Sequence, residues 1–256
     1  MSGTIGFEID GHVALITIDR PEKLNAMTPE MAANLVELAG RCNADDDIRA
    51  IVLTGAGARS FSAGSDIRAL DGYPTPWSFR QRQDYCDAIR RITKPVIAAV
   101  NGYAFGGGLE TAMSCDIRIA SENASFAAPE VKLGWIGGGG MATFLRSAAG
   151  PSNAALMLMT GDPVNAEKAL EWGIVSEVVQ QADLVARAKE IAATIASRAP
   201  VAVETAKLNL AAAAWMPAEN AIAYERDLQT ICFATEDAAE GRRAFAEKRS
   251  PDFRKR

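Results

Sequence analysis

Apolar and polar residues alternate from Ile5 to about Ile18 and break at Asp10-Gly11, which predicts a hairpin opening the fold. Thr28-Pro29 places a capping hydroxyl before a proline at the first helical position, so a helix is expected through about Arg41. The period then shortens. "IRAIVLTG", Ile48 to Gly55, reads as a short apolar strand running into a glycine turn, and Trp77 to about Ile92 returns to helical spacing. Lys94-Pro95 introduces a strand over Val96 to Val100, a helix follows Gly106-Gly107-Gly108, and Ile117 to Ala120 is the next strand. From about Asn165 the spacing is helical again and stops at Gly173, with one more strand over Ile174 to Val179. Beyond Ala182 the pattern is nearly all helix, punctuated by Pro200 and Pro217.

Strands alternating with helices imply an α/β fold with a parallel sheet. The near-continuous apolar strands imply burial on both faces. The change of texture near residue 198 divides the chain into a core over 1–197 and a helical C-terminal subdomain over 198–256.

Composition narrows this little. With 256 residues, 48% of them hydrophobic, the chain can bury about three-quarters of its unfolded surface. A formal charge of -5 argues against a nucleic-acid partner. No run approaches the ~18 apolar residues that span a bilayer, and the N-terminus lacks the basic start of a secretion signal. Cys42, Cys86, Cys115 and Cys232 show no C-x-x-C spacing, so they read as small core residues in a reducing compartment, with no metal site; a cytoplasmic location is expected.

The chain has one histidine, His12, directly after the hairpin turn, where a solvated role is favoured. Any proton chemistry therefore falls to carboxylates. Glu110 and Glu130 both lie in apolar text, the second fixed by Pro129. In a dry pocket a carboxyl pKa rises by several units. The helix N-terminus before Glu110 opposes that by only about 0.3–1 kcal/mol. The alternative for each is an exposed glutamate.

The glycines Gly106 to Gly108, between strand and helix, fit either of two needs. Backbone N–H groups there can meet a negative oxygen, or helix and strand can pack closely. "SFSAGSD", Ser60 to Asp66, is either a second set of donors after a strand or a plain surface loop. "GWIGGGG", Gly134 to Gly140, is a flexible turn before a helix. The segment Arg242 to Arg256 carries seven Lys or Arg against Glu247 and Asp252, a solvated tail or a phosphate-binding one.

"FSAGSDI", "KPVIAAVNGYAFGGGLETAMSCDIRIASENASFAAPEVKLG", Met159-Thr160-Gly161, "ALEWGIV" and "FAEKRSPDF" together resemble the crotonase superfamily of enoyl-CoA hydratases and isomerases, essentially end to end. The resemblance implies a spiral of ββα units with a helical C-terminal trimerisation region, assembled as a homotrimer or a dimer of trimers. It implies an acyl-CoA thioester substrate and no cofactor, since coenzyme A is part of the substrate. The backbone N–H groups of Ser65 and Gly107 would form an oxyanion hole. Glu110 and Glu130 would be the catalytic pair, and having both favours hydration of a trans-2-enoyl-CoA over isomerisation. Lys23, Ala63, Asp66, Ile67, Phe245 and Lys248 would bind coenzyme A, with Lys248 reaching a neighbouring subunit's ligand. After "LG" the hydratase pattern is roughly I-P-G-x-G-G-T-Q-R-L, whereas Trp135-Ile136-Gly137-Gly138-Gly139-Gly140-Met141 stands here. A carnitinyl-CoA-type dehydratase, an isomerase, a thioesterase and a non-catalytic acyl-CoA-binding protein are the alternatives.

Overall fold

A computed structural model describes residues 3–256; Met1 and Ser2, where the reading for a leader starts, lie outside the described residues. The opening hairpin pairs β1 (Thr4–Asp10) with β2 (Val13–Asp19) around Gly11, whose φ is +57°. His12 is exposed there, its Nδ1 2.7 Å from the Asp47 carbonyl. After a 3-10 turn at Pro21–Lys23, α1 (Pro29–Ala44) begins at Thr28, whose hydroxyl accepts from the Met31 N–H.

The chain then repeats one unit three times: a strand in a large sheet, a three-residue strand in a second sheet, and one or more helices. The first unit is β3 (Ala50–Gly55), β4 (Ser60–Ser62), then α2 (Ile67–Leu70), α3 (Pro76–Arg80) and α4 (Tyr85–Arg90). The second is β5 (Val96–Val100), β6 (Tyr103–Phe105) and α5 (Gly107–Met113). The third is β7 (Ile117–Ser121), β8 (Ser125–Ala127), a 3-10 turn at Pro129–Leu133 and α6 (Met141–Thr160). β9 (Val164–Asn165), α7 (Ala166–Glu171) and β10 (Glu177–Val179) close both sheets. The large sheet runs β1-β2-β3-β5-β7-β10, parallel except for the opening hairpin; the small one runs β4-β6-β8-β9. This is the expected spiral of ββα units.

The apolar runs of β3 and β5 are buried throughout, as a sheet covered on both faces requires. Ala50 and Val52 face α8 (Leu184–Ala196), which lays Leu184, Ala188, Ala192 and Ala196 on the sheet at four-residue spacing. Ile51 and Leu53 point the other way, into the larger core with α1, α4 and α5. The C-terminal region comprises α9 (Pro200–Ala213), α10 (Ala218–Phe233) and α11 (Glu236–Glu247). It leaves Leu210, Trp215, Ile231, Phe233 and Phe245 more than half exposed.

Three expectations are corrected. The helix over Trp77 to Ile92 is two helices. Thr75 caps α3 together with Ser78, and Asp84 caps α4 by accepting from the Cys86 N–H at 2.8 Å. A side chain that satisfies a fresh helix start restarts the helix instead of extending it. The last strand begins at Glu177, not Ile174, because the Ile174 N–H turns back to the Ala169 carbonyl after Gly173, at φ +78°. The basic C-terminal segment is a docked strap. Buried Asp237 accepts the Arg254 and Lys255 N–H groups, buried Glu240 takes Arg249, and Lys255 bridges Asp46 and Glu204.

Candidate active site

Each of the three units delivers one site element just after its short strand: Ser65 after β4, Gly107 after β6, and Glu130 after β8. β4, β6 and β8 are parallel neighbours, so these elements come together at one end of the small sheet. Ser65 is held from its other side. Gly64 O accepts from the Met27 N–H and the Asp66 N–H donates to Met27 O, both at 2.8 Å, so the intervening Ser65 N–H is turned away from Met27. Neither the Ser65 nor the Gly107 N–H finds an acceptor among the described residues. The two amides converge: a Cβ on Gly107 would lie 3.5 Å from Ser65 N, and one on Gly64 would lie 2.7 Å from Gly107 N.

The three glycines serve three needs. Gly106 turns the chain at φ +56°, which disfavours any side chain. Gly107 leaves its flank open toward Ser65. Gly108 lets α5 press on β4, for a Cβ there would overlap the Ser62 carbonyl at 1.9 Å. The close-packing reading therefore holds at Gly108, and Gly107 keeps an N–H with no acceptor among the described residues.

Glu110, in the first turn of α5, is 7% exposed, and the loop after the 3-10 turn folds over it. The Gly139 N–H donates to its Oε1 at 2.6 Å, and Cβ atoms on Gly137 or Gly139 would fall within 3 Å of its carboxylate oxygens. Arg90 anchors this loop by donating to Gly139 O at 2.6 Å and Ser114 Oγ at 2.9 Å. Burial pushes Glu110 up to about 7 against the pull of the Gly139 amide, and the charge of nearby Glu130 adds to the rise. Glu130, 8% exposed, sets Oε1 beside Gly106, 3.0 Å from where a Cβ would stand; its buried Oε2 has no partner among the described residues. Burial raises its pKa also. Two dry carboxyls with raised pKa values thus lie beside two amides without acceptors among the described residues, an arrangement that can pass protons next to a negative oxygen.

The predicted coenzyme A contacts divide. Lys23 is exposed, Ile67 is 54% exposed and Ala63 is half-buried beside Ser65, its N–H on Leu24 O. The Asp66 carboxylate is already engaged, paired with Arg20 at 2.8 Å and capping α2. Phe245 and Lys248 lie at the end of α11, and no hydrogen bond or ion pair joins α11 to Ser65, Gly107, Glu110 or Glu130 among the described residues. No group of three or more His, Cys, Asp or Glu there is placed to hold a metal ion. Sequence reasoning missed Tyr85, whose hydroxyl lies 3.1 Å from Ser65 Oγ, and Arg90; neither carries a local sequence signal.

The family model for enoyl-CoA hydratase/isomerase matches residues 8–256. The chain belongs to the enoyl-CoA hydratase/isomerase family. Within that family it is 41% identical over 256 residues to an (E)-benzylidenesuccinyl-CoA hydratase of Thauera aromatica, with 98% of each chain covered. It is 41% identical over 245 residues to a short-chain-enoyl-CoA hydratase of Clostridium acetobutylicum, with 94% of each covered. A solved enoyl-CoA hydratase of Bacillus anthracis superposes with a TM-score of 0.92 at 32% identity, over 99% of this chain and 100% of that one. No helix among the described residues is long and apolar enough to cross a membrane.

Proposed function

We propose that this family member is a carbon–oxygen lyase that reversibly hydrates trans-2-enoyl-CoA thioesters to 3-hydroxyacyl-CoA. The observation that carries the reading is the pair of buried, pKa-raised carboxyls beside two unpartnered amides. The thioester oxygen takes hydrogen bonds from the Ser65 and Gly107 N–H groups, which strengthen as it becomes an enolate. Ionised Glu110 removes a proton from water as its oxygen bonds to C3. Protonated Glu130 gives its proton to C2. The proton gained by Glu110 returns to Glu130 through solvent, which closes the cycle. The Gly139 amide favours the charged form of Glu110; on Glu130 burial outweighs the pull of its own backbone N–H, and its buried Oε2, without a partner among the described residues, suits a neutral acid. Because the two interact, they titrate as a unit. The steps need no cofactor beyond the substrate's own coenzyme A.

Lys23, Ala63 and Ile67 border the coenzyme on this reading, with Asp66 contributing shape through its fixed loop. Phe245 and Lys248 act on a ligand in a neighbouring subunit of a homotrimer or dimer of trimers. The exposed apolar side chains of α9 and α10 support that assembly, with residues 1–197 as core and 198–256 as the oligomerising part. Four unpaired cysteines fit a reducing, cytoplasmic setting. The test is turnover of crotonyl-CoA followed at the enoyl-thioester absorbance band. Loss of the band with formation of 3-hydroxybutyryl-CoA is expected. Binding without loss would leave an acyl-CoA-binding protein, and release of free thiol would mark a thioesterase.

A further inference from the structure

Beside the two free amides stands a pair of hydroxyls that the hydration scheme does not use. Tyr85, at the start of α4, is 8% exposed, and its Oη lies 3.1 Å from Ser65 Oγ. The space that a Gly107 Cβ would fill is walled by Tyr85 Oη at 2.5 Å, Gly64 Cα at 3.3 Å and Ser65 N at 3.5 Å. The phenol and the two amides thus border one small volume.

Two hydroxyls carry two protons, and the bond between them uses one. Whichever donates, the other proton is left over, and neither hydroxyl has another acceptor among the described residues. A buried donor left without a partner is costly. Here it borders the place where two further donors are also unpaired.

We propose that the Tyr85 hydroxyl, oriented by Ser65 Oγ, donates a third hydrogen bond to the thioester oxygen as that oxygen becomes an enolate. The assignment rests on the hydration reading. Ser65 Oγ donates to Tyr85 Oη, and the phenol proton is then free for the ligand. Burial pushes the phenol pKa well above its ordinary value, with Cys86, Asp84 and Glu110 acting in the same direction and the Ser65 hydrogen bond opposing them. The phenol therefore keeps its proton and serves as a donor, never as a base. No proton changes hands at Tyr85. The bond gains strength as charge develops, because a donor to an ionised oxygen is roughly twice as strong as one to a neutral oxygen.

The experiment pairs Tyr85→Phe, which keeps the ring, with Ser65→Ala, which keeps the amide. For crotonyl-CoA, Tyr85→Phe should lower kcat about 10²-fold, in the range for loss of one oxyanion donor, with KM within about threefold. Ser65→Ala should lose about tenfold, since the phenol remains but is less well aimed. A second readout needs no turnover: a cinnamoyl-CoA bearing a para-dimethylamino group absorbs at longer wavelength when its carbonyl is polarised. That shift should shrink in both variants while the probe's Kd stays within a few-fold of wild type. A full-sized shift in Tyr85→Phe overturns the proposal, whatever happens to kcat. If Tyr85→Phe does not fold, an undiminished shift in Ser65→Ala overturns it instead. A wild type that binds the probe but hydrates no enoyl-CoA removes the hydration reading and leaves the shift to decide on Tyr85. A wild type that binds no acyl-CoA overturns both.

Discussion

Glu110 and Glu130 are shut from water to the same degree, at 7% and 8% exposure, and burial raises both. Their walls differ. Glu110 sits under a glycine loop that presses on both its oxygens and gives one an N–H. Glu130 rides a 3-10 turn behind Pro129, touches Gly106 with one oxygen, and keeps the other unpartnered. Equal burial therefore raises both carboxyls, Glu110 to about 7, and unequal hydrogen bonding sets the two apart. A carboxylate oxygen that receives an N–H is eased toward charge; a buried one left without a partner is eased toward the acid.

The widest effect comes from removing each acid in turn. Glu110→Gln and Glu130→Gln should each lower crotonyl-CoA hydration by about 10³-fold or more, within the range of general acid–base catalysis. Exchange of the C2 hydrogens of butyryl-CoA with deuterium, read by mass spectrometry, separates them. It should survive Glu110→Gln and vanish in Glu130→Gln. The opposite pattern would exchange the two roles and show that the Gly139 amide does not select the base.

A narrower blow displaces each carboxyl without deleting it. A Cβ at Gly137 would stand 2.6 Å from Glu110 Oε1 and 2.9 Å from Met141 Cβ, so Gly137→Ala must push the carboxylate or the loop aside. Misplacement by about an ångström costs about 10²-fold in rate, and butyryl-CoA exchange should persist. Gly106→Ala should instead abolish exchange, since its Cβ meets Glu130 at 3.0 Å and its backbone, at φ +56°, resists a side chain. Normal hydration by Gly137→Ala would mean that the glycine loop does not position Glu110.

How much of this was legible in the text depends on range. The buried strands at Ile48, Val96 and Ile117, the Thr28 cap and the two acids in apolar surroundings all announce themselves within a few residues. The three-residue strands of the second sheet do not, because β4, β6 and β8 are too short to show a period, and yet they align the site. The convergence of Ser65 with Gly107 was reached through family resemblance, since no local pattern relates residues in separate units. The loop over Glu110 read only as a flexible turn; its contact with α5 exists only in three dimensions. Tyr85 stayed hidden inside a predicted helix that is interrupted at Asp84, where one capping carboxylate outweighed helical spacing.

The smallest effect tests whether the Glu110 pocket is dry, using stability in place of rate. An acid whose folded pKa lies above its unfolded value binds protons more tightly when folded, so stability is greatest at low pH and falls as pH rises from the unfolded value toward the folded one. For Glu110 that window runs from 4.5 to about 7. Between pH 5 and pH 7 this one group should cost the fold about 2 kcal/mol, with little further loss above. Glu110→Gln cannot titrate, and its amide oxygen can still accept from Gly139. Relative to wild type, the variant should therefore gain about 2 kcal/mol in urea unfolding between pH 5 and pH 7, and Glu130→Gln should gain in the same direction. The least active variants would then be more stable at neutral pH than the parent, as expected where a buried charge is kept for chemistry. A Glu110→Gln difference that stays flat across that range would mean that water reaches the carboxylate, and the contrast between the two acids would lose its basis.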